Sequence, residues 1–140
     1  MPFDEITARI DEFVRGMNTY FVLENLDTLR KNGRLSGVKA FVASTLNIKP
    51  VMGADDGSII QLGQGIGMKK ALAKMADTAI EQAAGSEKKR LMITHCNNLK
   101  AAEFVREHIE EKLKFMETLV LDTAGVSSMY ANEGGVILTI

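Results

Sequence analysis

The sequence is short of cysteine, tryptophan, proline and aromatic side chains: one Cys, no Trp, two Pro and 6% aromatics in 140 residues. The lone thiol, Cys96, forms no internal disulfide, which suits a reducing compartment and points to the cytoplasm. No apolar run reaches the roughly eighteen residues a membrane helix needs, so no membrane span is expected. The N-terminus reads Met1-Pro2-Phe3-Asp4-Glu5, with acid where a secretion signal carries base. Charge of either sign is also scarce in net terms. Seventeen Lys+Arg against eighteen Asp+Glu leave −1, so no basic field attracts nucleic acid. Too few aromatics exist to stack single-stranded bases. The two histidines, His95 and His108, have no second cysteine to complete a metal set, and His108 falls on a charged helix face. A phosphate loop ending in Gly-Lys-Ser/Thr is absent. Gly63-Gln64-Gly65-Ile66-Gly67 lacks the Gly-x-Gly-x-x-Gly spacing of a dinucleotide site and follows a hairpin strand. No metal and no cofactor are therefore expected.

What remains, 46% hydrophobic and 25% charged residues, is the mix of one globular domain spanning residues 1–140. Phe3, Ile6, Ile10, Phe13 and Met17 recur at spacings of three and four, which predicts an amphipathic helix over 3–17. Tyr20–Leu23 reads as a strand, followed by a short helix through Lys31 that Asn25 or Asp27 can cap. Asn32-Gly33 breaks it. A helix is expected over 38–46. Ile48–Met52 reads as a strand, which Pro50 pushes toward a sheet edge. Asp55-Asp56-Gly57 is a tight hairpin signal, with Ser58–Leu62 returning and an open glycine loop at 63–67. A helix over 68–84, a strand over 90–95, a helix over 99–113, a strand within 115–122, a polar loop or short helix over 123–135 and a last strand over 135–140 complete the chain. That order predicts an α/β domain with a mixed sheet. The hairpin must be antiparallel, and the strands around Leu91 and Leu121 parallel.

Several residues carry candidate chemistry. Arg34, just after the Asn32-Gly33 break, offers a guanidinium fork suited to a carboxylate or phosphate; the plainer reading is a surface charge beside a turn. Thr123, Ser127, Ser128, Tyr130 and Asn132 cluster before the last strand and could hold an anionic head group, or simply cap the loop. His95 next to Cys96 could serve as base and nucleophile, although a structural role at a strand end is simpler.

The stretch Phe21-Val22-Leu23-Glu24-Asn25-Leu26-Asp27-Thr28-Leu29-Arg30-Lys31-Asn32-Gly33-Arg34-Leu35-Ser36 resembles the Leu-rich, Gly-Gly-Arg-Ile-Ser segment of the DegV family. Ile48-Lys49-Pro50-Val51 is similar to that family's Ile-Lys-Pro-Ile strand. Asp56-Gly57, Lys69-Lys70-Ala71, and His95 with Asn97-Asn98 and Ala101-Ala102 extend the likeness over nearly the whole chain. The resemblance implies a bacterial lipid-binding protein rather than an enzyme. It implies one long-chain fatty acid in an apolar tunnel, and a fatty acid kinase as a partner. It also implies that this chain matches the C-terminal half, without the N-terminal domain whose hydroxyls help grip the carboxylate. Arg34 and Ser36 would then lie near the head group. In the loop before the last strand, Tyr130 stands where the family has histidine, and Asn132 and Glu133 replace glycine and proline. Phe21, Phe41, Leu46, Met52, Met75 and the Met129 region could line such a tunnel, or equally fill one another's space as a solid core. The alternatives are a non-catalytic interaction or dimerisation module with a degenerate ligand site, and a hydrolase or transferase using Cys96 and His95.

Overall fold

The computed structural model describes residues 1–35 and 47–140. The expected helix over 38–46 and Ser36, Phe41 and Leu46 lie outside the described residues. Among those described, the elements are α1 (Phe3–Arg15), β1 (Thr19–Val22), α2 (Asp27–Lys31), β2 (Ile48–Asp55), β3 (Ser58–Ile66), α3 (Met68–Gln82), β4 (Arg90–His95), α4 (Leu99–Glu110), β5 (Glu117–Asp122), α5 (Gly125–Ala131) and β6 (Val136–Thr139). The strands form one mixed sheet in the order β3-β2-β1-β6-β4-β5. Only β4 and β5 run parallel, joined through α4; the other neighbours are antiparallel. This is the expected α/β class.

Strand alternation decides what each face carries. Tyr20 and Val22 of β1, Leu91 and Ile93 of β4, and Val136 and Leu138 of β6 point to one face, where α3 and α4 bury them. Leu72, Met75, Ala76 and Ala79 of α3, with Ala102, Val105 and Ile109 of α4, supply the opposing stripe at helical spacing. Small residues on α3 let it lie close to the sheet. At the rim of this layer the Tyr20 hydroxyl donates to Gln82 Oε1 at 2.7 Å, and burial pushes the phenol's pKa up, so it stays a donor. Phe21 and Ile137, paired across β1 and β6, face the other way.

Three expectations change. The first concerns Pro50, which lies in an interior strand rather than at an edge: β2 sits between β1 and β3. The proline is tolerated because β1 pairs with β2 only at Met52 and Gly53, so Pro50 is beyond the stretch that needs a second ladder. Second, the glycines are strand rather than open loop. β3 runs on to Ile66, with a bulge where Val51 faces Gly63 and Met52 faces Gln61. Gly65 lies directly beneath the start of α3: a Cβ there would stand 2.3 Å from the Ala71 nitrogen. Gly67, at φ +78°, then turns the chain into the helix. The third change is to the environment of α1. Its apolar stripe exists as predicted, yet none of its residues is buried. The Asp-Gly hairpin is as expected, with Asp56 at φ +44° and Gly57 at φ +76°.

The two covering helices are also joined at the surface. Asp77 of α3 accepts from His108 Nε2 at 2.8 Å and from Lys112 Nζ at 3.1 Å. The His108 hydrogen bond is the main cause holding the Asp77 carboxyl below its ordinary value of 3.8. A carboxylate depressed in the folded state stabilises above its unfolded pKa and ceases to as pH falls through the folded one. Asp77→Asn is expected to cost about 0.5–1 kcal/mol at neutral pH, as a half-exposed pair should. The gap between variant and parent should close as the pH drops below 3.8. Urea melts across that range check it; a gap that stays constant refutes the assignment.

Candidate functional site

The second face of the sheet carries the two short helices. Leu29 of α2, Ala131 of α5 and Leu23 after β1 are buried there, with Phe21, Leu35, Tyr130 and Ile137 packed around them. A five-residue helix such as α2 has no stability of its own and needs this anchoring. Its exit is closed by the Arg34 N–H donating to Leu29 O at 2.9 Å, with Gly33 at φ +67° making the turn. Its entry is held by Asn25, whose Oδ1 accepts the Asp27 N–H at 3.3 Å. Lys49 of β2 fixes the approach to α2, donating to the Glu24 carbonyl and pairing with its carboxylate, both at 2.6 Å.

The structure joins α2 to the loop before β6. Thr28 Oγ1 donates to Asn132 Oδ1 at 3.1 Å, and Asn132 Nδ2 donates to the Tyr130 carbonyl at 3.3 Å. Asn132 sits at φ +54° and ψ 172°, a conformation that favours glycine and strains an asparagine, and the hydrogen bonds of its amide hold it there. Its amide is thus committed inside the fold. Ser128 shares a hydrogen bond with Thr123 at 2.8 Å, which steadies the start of α5. Ser127 is exposed on the same helix, and the Tyr130 ring belongs to the second-face cluster together with Leu35. Arg34 is exposed, while its backbone N–H is committed to closing α2. Arg34 and the α5 loop therefore flank one cluster through Leu35 and Tyr130. Ser36 lies outside the described residues. Of the expected tunnel lining, Phe21 and Met52 face each other across β1 and β2 on the second face. Met75 lies across the sheet in the packed layer under α3, and Met129 is exposed.

Sequence reasoning missed the Thr28–Asn132 tie, which spans 104 positions and leaves no local signal. It also missed a cleft of about 430 Å³ at the C-terminal ends of β4 and β5, between His95, Leu99, Val120, Leu121 and Asp122. His95 is only 6% exposed. Its Nδ1 accepts the Asn98 N–H at 3.3 Å and lies 3.4 Å from the Asp122 carboxylate. Held between the Asn98 amide and the Asp122 carboxylate, His95 orients the entry to α4. Cys96 is tied by its backbone to Gly134 and Gly135, which position β6. Among the described residues no group of three His, Cys, Asp or Glu side chains could hold a metal ion. No described helix is long and apolar enough to cross a membrane.

The family model of the uncharacterised DegV family matches residues 1–139. The chain belongs to the DegV family. A DegV family protein from Ruminococcus gnavus, solved with vaccenic acid, is 44% identical, with a TM-score of 0.95 over 100% of this chain and 50% of that one. A Streptococcus pneumoniae Fatty Acid Kinase B3 protein loaded with linoleic acid is 31% identical, with a TM-score of 0.85 over 99% of this chain and 49% of that one. Among curated relatives, a DegV domain-containing protein of Listeria innocua is 28% identical over 138 residues, covering 99% of this chain and 49% of its own length. The chain thus spans about half the length of the DegV relatives it matches.

Proposed function

We propose that residues 1–140 form the lipid-binding, C-terminal half of a DegV-type fatty-acid carrier. The carrier holds one long-chain fatty acid and presents it, without catalysis of its own, to a fatty acid kinase in the cytoplasm. One observation carries this reading: similarity at a TM-score of 0.95 and 44% identity, over 100% of the chain, to a protein solved with vaccenic acid. The two faces of the sheet fit it. One is filled by α3 and α4, while the other, among the described residues, bears a smaller apolar cluster of Leu23, Leu29 and Ala131 with Phe21 and Ile137 beside it. An acyl chain laid along such a surface gains about 0.8 kcal/mol for each CH₂ removed from water. The carboxylate must then be met by charge or hydrogen bonds. Arg34, Ser36, Ser127, Ser128, Tyr130 and Asn132 are the proposed head-group surroundings. Arg34 supplies the charge, and the α5 loop supplies hydroxyls.

Mass spectrometry of lipid extracted from the double-length protein should return about one fatty acid per chain. Arg34→Ala should lower retention about tenfold, as loss of a charge-assisted hydrogen bond does. Absence of a stoichiometric fatty acid from the parent protein overturns the reading. Undiminished retention in Arg34→Ala removes Arg34 from the head group.

A further inference from the structure

Asn132 holds a backbone conformation, φ +54° and ψ 172°, that a glycine would adopt without strain. Such strain persists where the side chain is needed, and this amide has a defined task. Its Nδ2 donates to the Tyr130 carbonyl at 3.3 Å and to Asn25 Oδ1 at 3.4 Å, while its Oδ1 accepts the Thr28 hydroxyl at 3.1 Å. Both amide protons are thereby engaged, so Asn132 has none to offer a carboxylate. It joins α2 to α5 instead of gripping a ligand.

Thr28 is the other half of that joint, and Arg34 is anchored beside it. The Thr28 carbonyl accepts the Asn32 backbone N–H at 3.1 Å and the Asn32 side-chain amide at 2.8 Å. The next carbonyl, that of Leu29, accepts the Arg34 N–H at 2.9 Å. A continuous run of bonds therefore leads from Arg34 through α2 and Thr28 to Asn132 and Tyr130. Helix α2 has only five residues and cannot hold its own place. Burial of Leu29 presses it onto the sheet, but apolar packing has no direction. The hydroxyl–amide bond supplies one, because it fixes how α2 stands against α5.

We infer that Thr28 is a positioning residue for the fatty-acid head group: through Asn132 it sets where Arg34 stands relative to the Ser127–Tyr130 loop. The inference rests on the lipid-carrier reading given above and deepens it. A guanidinium and hydroxyls that share one carboxylate must keep a fixed separation, and the two come from different elements.

The test follows labelled vaccenic acid leaving the double-length protein for excess phosphatidylcholine vesicles. Thr28→Val keeps the side-chain shape, removes the hydroxyl, and should speed release about fivefold, the effect of losing one hydrogen bond. Thr28→Ser should return release to within about twofold of the parent, since it restores the same donor. Asn132→Gly supplies the readout that a merely structural bond would not move. It relieves the backbone while cutting the tie, so release should quicken about fivefold with a urea midpoint at or above the parent's. In an Arg34→Ala background, Thr28→Val should add less than about twofold, because the group it positions is gone. Release at the parent rate from folded, loaded Thr28→Val or Asn132→Gly, whatever their midpoints, overturns the inference and leaves the carrier reading standing. So does an undiminished effect of Thr28→Val in the Arg34→Ala background. A parent protein that holds no fatty acid overturns both.

Discussion

Gly65→Ala is expected to lower the stability of the folded chain by about 3 kcal/mol, the upper range for forcing an atom into a filled space. The new methyl carbon would stand 2.3 Å from the Ala71 nitrogen and 2.6 Å from its Cα, both backbone. No rotamer relieves a clash with backbone. Either β3 or the first turn of α3 must move, and that turn positions Leu72 and Met75 in the core. Gly63→Ala is the control. Its Cβ would meet only the flexible Lys74 side chain, at 3.5 Å, so a change of about 0.5 kcal/mol is expected. Urea midpoints of the two variants separate the cases. Equal midpoints would mean that α3 does not lie against Gly65.

The same region shows how far a sequence is legible. Asp56-Gly57 declares its turn because positive φ at two successive residues is a local demand with few solutions. The alternating runs at 90–95 and 136–139 declare strands for the same reason. Gly63, Gly65 and Gly67 mislead, because glycine marks both a free loop and a close approach, and only the helix lying above tells which. Pro50 misleads in a similar way. It forbids one ladder bond, not an interior position, and the short reach of β1 was not readable from Pro50. The α1 stripe was legible as a pattern, but a pattern says only that something must cover it. At the candidate site, Arg34 and the Ser127–Asn132 group stand out by residue type. The cluster that Leu35 and Tyr130 share, and the Thr28–Asn132 bond, depend on distant stretches of chain brought together by the sheet, which no local spacing announces.

Adjacent residues of β6 should separate stability from lipid binding. Leu138 points into the layer under α3 and α4 and is fully buried, so Leu138→Ala should cost about 3 kcal/mol. Ile137, its neighbour, points to the second face beside Phe21 and is partly exposed. Ile137→Ala should cost only about 1 kcal/mol. If the acyl chain lies along that face, Ile137→Asp should release it, since a carboxylate buried against methylenes has no partner. Thermal melting reads the first quantity and lipid extraction the second. The expected result is a crossed pattern, with Leu138→Ala unstable but still loaded at low temperature, and Ile137→Asp folded but empty. Retention of lipid by Ile137→Asp, together with its loss from a folded Leu138→Ala, would place the tail on the opposite side of the sheet.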